Sequence, residues 1–222
     1  EIVNNTDRVT RGDRELWDEL LQVVIPKGRN IWAFADDDSE KLNEVGRSFE
    51  FFVLPENNEA NVKKAMKDGN FFAASKYYKT TDGVGDFDGD GNVPLVTGIK
   101  VDQKANTITV ATDPTRDCRV IEWIADGKVI ATGNTIDLND YEKDLGCYIR
   151  FQMKGSGGVT YSQPFELQYK GRIDKPVPSW ALWVFKTEGG QKFMKFYHSH
   201  SFALGALIAE KIRILIEDNI KK

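Results

Sequence analysis

Only two histidines and two cysteines occur among the 222 residues. That scarcity excludes an all-histidine metal centre, a disulfide framework and a zinc site of Cys-x-x-Cys type. Cys118 and Cys147 can form at most one disulfide, which leaves the compartment open. No charge of one sign dominates: 30 basic side chains stand against 34 acidic ones, a net charge of −4. The basic residues gather in no single run, so no nucleic-acid partner is expected through charge. No apolar stretch approaches the roughly 20 residues that span a bilayer, and no membrane association is expected. A Gly-x-Ser-x-Gly elbow and a phosphate-binding P-loop are both missing, which removes two common catalytic frameworks. What is present is a hydrophobic fraction of 41 % and an aromatic fraction of 11 %, enough to exclude a disordered chain. At about 150 residues per domain the length implies one or two domains. The start, Glu-Ile-Val-Asn-Asn, has neither an initiator Met nor a signal-peptide pattern and reads as a processed or excised segment.

The pattern changes along the chain. Leu16, Trp17, Leu20, Leu21 and Val24 recur at helical spacing. The turn signal Pro26-Lys27-Gly28 then leads to IWAFA (31–35), which has the form of a buried parallel strand. A strand over 49–54 and a helix over 59–67 follow, the helix capped by Asn57 or Asn58 and stopped by Gly69, so residues 1–80 read as βαβ. Beyond an acidic loop (81–97) the pattern is of strands alone. Cys147, Ile149, Phe151 and Met153 alternate with Tyr148, Arg150, Gln152 and Lys154, which predicts one buried and one wet face. Asp126-Gly127 and Gly155 to Gly158 supply hairpin turns. Residues 98–170 therefore predict an antiparallel, immunoglobulin-like β-sandwich with Trp123 in its core. Residues 171–222 read as a linker, a strand and a C-terminal helix whose stripe runs from Leu204 to Ile216.

Three constellations could carry chemistry. Asp36-Asp37-Asp38-Ser39-Glu40 follows a strand end, where ligands gather in α/β proteins, and reads either as a cation site or as an acidic helix start. Asp86, Asp88, Asp90 and Gly91 fit the first half of a calcium loop, although position twelve is Thr97; the alternative is a solvated acidic loop. His198 and His200 form a His-x-His after a strand-like segment, and on a strand both rings would face one cation.

The stretch WDELLQVVIPKGRNIWAFADDDSEKLNEVGRSFEFFVLPENNEANVKKAMKDGNFFAAS resembles the closing part of the PHP (polymerase and histidinol phosphatase) metal-dependent phosphoesterases. The shared order is a Trp-Asp-x-Leu-Leu helix, a strand, a D-x-H metal motif, a Gly-Arg-Ser-aromatic turn and a helix ending in G-x-[FY]-[YF]-A-S. The likeness covers residues 1–75, and the sandwich after it resembles an accessory domain that some members carry. The resemblance implies an α+β chain with a partial PHP-type α/β barrel region, a divalent metal (zinc, manganese or iron) and a phosphorylated small molecule as substrate. Asp38 falls on the family's metal-binding Asp and Glu40 on its His, a change that disfavours zinc. Arg47 falls where a guanidinium would hold phosphate; a structural Arg paired with nearby acids is the alternative. His198-Ser199-His200-Ser201 is similar to the family's opening motif, but the usual Asp-Gly after it is replaced. The family's earlier barrel half has no counterpart before Glu1, so the expectation is an incomplete catalytic set, completed by a missing N-terminal half or by a homo-oligomer. The contrasting expectation is a non-enzymatic β-sandwich binding module, with or without calcium.

Overall fold

The computed structural model describes residues 1–168, which belong to one compact unit. Its elements run β1 (Val3–Asn4), α1 (Asp13–Val24), β2 (Ala35–Asp36), β3 (Ser48–Phe52), α2 (Glu59–Asp68), β4 (Phe71–Ser75), β5 (Tyr77–Tyr78) and β6 (Phe87–Asp88). Then come β7 (Val96–Asp102), β8 (Thr107–Thr112), β9 (Val120–Ala125), β10 (Lys128–Thr132), β11 (Thr135–Asp137), β12 (Tyr148–Gly155), β13 (Gly158–Tyr161) and β14 (Phe165–Glu166). The chain is α+β, and the described sheets close into no barrel.

One sheet organises the unit, in the order β10-β9-β12-β13-β4-β3 with β14 also on β12. Every pairing in it is antiparallel. The βαβ reading of residues 1–80 implies parallel strands, but the strand at Phe49 pairs antiparallel with β4, which follows α2, with Phe51 opposite Phe72. The change of pattern near residue 80 does not interrupt this sheet, because β4 pairs directly with β13.

The sheet has two covered faces. On one lie α1 and the N-terminal segment, where Ile2, Val3, Trp17, Leu21, Ile25, Ala73, Tyr148, Val159 and Tyr161 share a cluster. On the other lies the three-stranded sheet β11-β8-β7, where Ile108, Val110 and Ile136 meet Ile121, Trp123, Ile149, Phe151 and Met153. Trp123 is fully buried, as its pattern predicted, and its indole N–H donates to Gly133 O at 2.8 Å.

The face of β12 predicted to be wet is not: Tyr148, Arg150 and Gln152 are all buried. Helix α1 covers it. The helix buries Arg14, Trp17, Asp18 and Leu21, a single stripe at spacings of three and four that includes two charges. Asp18 accepts from Arg150 Nε (2.7 Å), Arg150 Nη2 (2.6 Å) and Tyr148 Oη (2.8 Å). Arg14 meets Asp7 through Nη1 at 2.8 and 2.9 Å and also donates to Lys79 O. The polar strand face is thus buried by satisfying its charges, as the low dielectric demands.

Residues 31–34 join no ladder, and only Ala35 and Asp36 form a strand, parallel to β1. Side chains take the ladder's place. Trp17 Nε1 donates to Ile31 O, Gln163 binds both the N–H and the C=O of Ala33, and Glu50 accepts from Ala35 N. The backbone requirement is met by single residues contributed from α1, β3 and the segment after β13.

Helix α2 follows its predicted punctuation. Asn58 accepts from Asn61 N at 2.9 Å as the N-cap, and Gly69 closes the helix in the left-handed region at φ 75°. Trp32 packs where a Cβ on Gly69 would sit, 2.7 Å away, so that glycine is required twice over.

Candidate functional site

The carboxyl ends of β1 and β2 lie side by side, and each continues into a sharply turned segment. Asn5, Asp7 and Asp38 all have positive φ (48°, 58° and 45°), three of the five such non-glycine residues among those described. Asn and Asp tolerate this region best, and clustered left-handed residues mark a segment whose course is over-determined by its surroundings.

Asp37 explains that course. Its Oδ2 accepts from Gly46 N at 2.6 Å, and its Oδ1 accepts from Arg47 N (2.6 Å) and Ser48 N (2.8 Å). Three consecutive amides thus enclose one carboxylate, and Gly46, at φ 85°, provides the bend that turns them inward. The Gly-Arg-Ser turn is tied to the end of β2 by this latch. Ser48 Oγ extends the tie to the neighbouring strand ends, at 3.1 Å from Asn5 O and 2.9 Å from Ser75 Oγ.

Arg47 stands half-buried beside the latch. Its Nη1 donates to Asn5 Oδ1 at 2.7 Å and lies 3.6 Å from Glu44 Oε1. The structural pairing with a nearby acid is therefore present, and it also holds the guanidinium at the rim of the strand ends. Asp38, which follows the latch residue Asp37 in the chain, is exposed. Glu40 is exposed as well, with its N–H donating to Glu44 Oε2 at 3.0 Å. Among the described residues no three His, Cys, Asp or Glu side chains converge in an arrangement that would hold a metal ion. His198 and His200 lie outside the described residues.

Glu50 lies behind Ala35, half-buried, and burial pushes its carboxyl above the usual range. The Ala35 N–H works against that shift, while the charges of Asp36 and Asp37 add to it.

The acidic loop has its own local order. β5 and β6 form a hairpin, with Tyr78 opposite Phe87 and their rings stacked 5.6 Å apart. Each carboxylate of the calcium-like pattern has a separate partner. Asp86 accepts from Thr80 N at 2.7 Å, Asp88 pairs with Lys79 Nζ at 2.5 Å, and Asp90 accepts from Asn92 N at 2.8 Å. The Thr80 N–H bond holds the Asp86 carboxyl below its usual range. The loop's glycines answer a packing demand: a Cβ on Gly89 would lie 2.2 Å from the Gly157 carbonyl carbon, and Gly91 N donates to Gly157 O at 2.9 Å.

No disulfide joins Cys118, which is half-buried, to Cys147, which is buried and donates from Sγ to Leu21 O at 3.8 Å. No helix among the described residues is long and apolar enough to cross a membrane.

Two groups of residues escape a pattern reading. Asp37 sits inside the acidic run, flanked by carboxylates that look equivalent to it in sequence. Arg14 and Asp18 carry a usable signal, since both fall on the apolar stripe of α1 four residues apart, and a charge on a stripe destined for the core needs a partner. No protein-family model, curated protein or solved structure matches the chain.

Proposed function

We propose that this chain is the C-terminal part of a PHP-like metal-dependent phosphoesterase, with a partial α/β barrel region over residues 1–80 and an immunoglobulin-like sandwich over 98–170. In this reading the complete protein hydrolyses a phosphate ester with metal-activated water. Asp38 contributes a ligand and Arg47 a contact to the phosphate. The supporting observation is the parallel β1–β2 pair, whose carboxyl ends bring Asn5, Asp36, Asp37, Asp38 and the Arg47 guanidinium to one rim. An exposed carboxylate suits a cation, and a guanidinium oriented by Asn5 suits a phosphate oxygen. Ligands beyond Asp38 and Glu40 would come from a preceding barrel half, from a second copy, or from His198 and His200.

A metal-retention assay tests this. The purified chain is equilibrated with manganese or zinc, dialysed and analysed for bound metal, then assayed against a phosphate monoester with and without added metal. Retained metal that is lost in Asp38→Ala, with phosphate affinity lost in Arg47→Ala, is the expected result. Equal metal content in wild type and Asp38→Ala would overturn it.

A second reading, a non-enzymatic binding module whose α/β part is structural, is favoured by one observation. The most fully bonded carboxylate of the rim, Asp37, is already occupied by three backbone amides.

A further inference from the structure

The small sheet ends in an exposed strand. Among the described residues nothing pairs with the outer edge of β7, which closes the order β11-β8-β7. Thr97 to Val101 are all exposed. Ile99 and Val101 stand opposite Val110 and Ile108, which are buried, so the four side chains share the inner face of the sheet. Yet Ile99 is 38 % exposed and Val101 51 %. The apolar inner face runs on past its cover and leaves two β-branched side chains in water.

The backbone of β7 is open as well. Val110 N donates to Asn134 O at 2.7 Å, so Val110 and Ile108 direct their peptide groups toward β11. By alternation Thr107, Thr109 and Ala111 direct theirs toward Asp102, Lys100 and Gly98 of β7. The N–H and C=O groups of Ile99 and Val101 therefore point away from the sheet. Such an edge is a template for another strand.

Charge selects which strand fits, and in which register. Lys100 and Asp102 lie on the outer face, on either side of Val101. Asp102 Oδ1 accepts from Ala105 N and Lys104 N, and these two bonds hold the carboxyl below its usual range, so it stays charged. In an antiparallel pair of identical strands centred on Lys100, the two ammonium groups would oppose each other. A pair centred on Ile99 would run into the bulge between Val96 and Gly98 and give neither charge an opposite partner. A pair centred on Val101 sets each Lys100 opposite an Asp102, twice over by symmetry. Val101 then exchanges both backbone bonds with its own copy, and the exposed valine side chains meet.

We infer that β7 is a homotypic docking edge. A second copy of this chain adds its own β7 antiparallel, centred on Val101, and the two three-stranded sheets become one. The contact is small and suits a weak, reversible dimer. It draws on no property of the rim at the strand ends.

Sedimentation velocity of the whole chain over a rising concentration series tests the inference. Wild type should shift from monomer to dimer. Lys100→Glu and Asp102→Lys should each weaken association at least about tenfold, because two attractions become two repulsions. Mixed in equal amounts, the two variants should recover the dimer, since each altered charge then faces an opposite one. Wild type that stays monomeric throughout, single variants that associate like wild type, or a mixture that stays monomeric would each overturn the inference. Asp102→Lys also removes a turn acceptor. Should it fail to fold, Asp102→Asn keeps that acceptor and should weaken association about two- to tenfold, and an unchanged dimer would contradict the pairing. Amide exchange locates the contact. Exchange at Val101 should slow as concentration rises, whereas Lys100, already directed at Thr109, should not change. A dimer that leaves exchange at Val101 unaltered forms elsewhere and refutes the edge.

Discussion

Arg150 and Phe151 are consecutive residues of β12, both almost wholly buried, and they face opposite sides of the same sheet. Phe151 enters an apolar cluster, 5.3 Å from the Trp123 ring and 6.3 Å from Phe165, where burial itself stabilises. Arg150 lies 5.1 Å from the Trp17 ring and is held by Asp18, which also accepts from Tyr148 Oη; further along the same face Gln152 donates to Glu122. One face is stabilised by removing carbon from water. The other face must first offset the cost of removing charge from water, and its ion pairs specify where α1 sits more than they strengthen the fold.

That contrast can be broken from either side. Trp123→Ala should have the largest effect, a loss of about 4–5 kcal/mol in denaturant unfolding, since it leaves a large cavity and removes the bond to Gly133 O. Asp18→Ala should cost about 3–4 kcal/mol because it strands a buried guanidinium and the Tyr148 hydroxyl. The sharper test is the double replacement Asp18→Leu with Arg150→Met, which should recover most of that loss. A double variant as unstable as Asp18→Ala alone would mean that the pair contributes net stability. Gly89→Ala probes the backbone seam at the strand ends, which belongs to neither face. Its methyl would meet the Gly157 carbonyl, at a cost of roughly 1–3 kcal/mol in the same assay.

Glu50 provides the smallest and most specific probe of the polar side. It faces the same way as its neighbour Ala73, which belongs to the cluster under α1. Its folded-state carboxyl is raised above the unfolded value, so the folded protein keeps that proton where the unfolded chain releases it. Its contribution is therefore most favourable below the unfolded value near 4.5 and declines as the pH rises through the folded value. Glu50→Gln keeps the acceptor for Ala35 N and removes the decline. It should match wild type near pH 4 and exceed it slightly at pH 7 in melting curves taken across that range. Solvent screening of the half-exposed carboxyl limits the gain to about 0.5 kcal/mol or less.

Local chemistry was legible and its coverage was not. The capped helix Glu59–Asp68 with its Gly69 stop, the helix over Trp17 and Leu21, the hairpin turn at Asp126-Gly127 and the buried Trp123 all follow from spacing and turn residues. Strand periodicity correctly separated Phe151 from Arg150, but it reports only that two faces differ. It does not say that a helix from far upstream will lie over the polar one. IWAFA showed the complementary failure, because an apolar run signals burial and cannot reveal that Gln163 and Trp17 will stand in for a neighbouring strand. At the rim, the acidic run and the Gly-Arg-Ser turn were visible as separate motifs. Their joining through Asp37 depends on a three-dimensional approach of strand ends that spacing does not encode.

The pairing of β4 with β13 places Ala74 beside Thr160, residues made far apart in time during synthesis. Until the ribosome has released β13, the strand at Phe71–Ser75 presents an unpaired inner edge, and Ala73 and Phe72 have only part of their neighbours. Contacts of such sequence separation slow folding and prolong the life of exposed edges. The nascent first half of this chain is thus an obligate client of its own second half. A polypeptide truncated near residue 80 would carry a sticky strand edge into solution, and chaperone demand during expression should fall sharply once residue 161 has emerged.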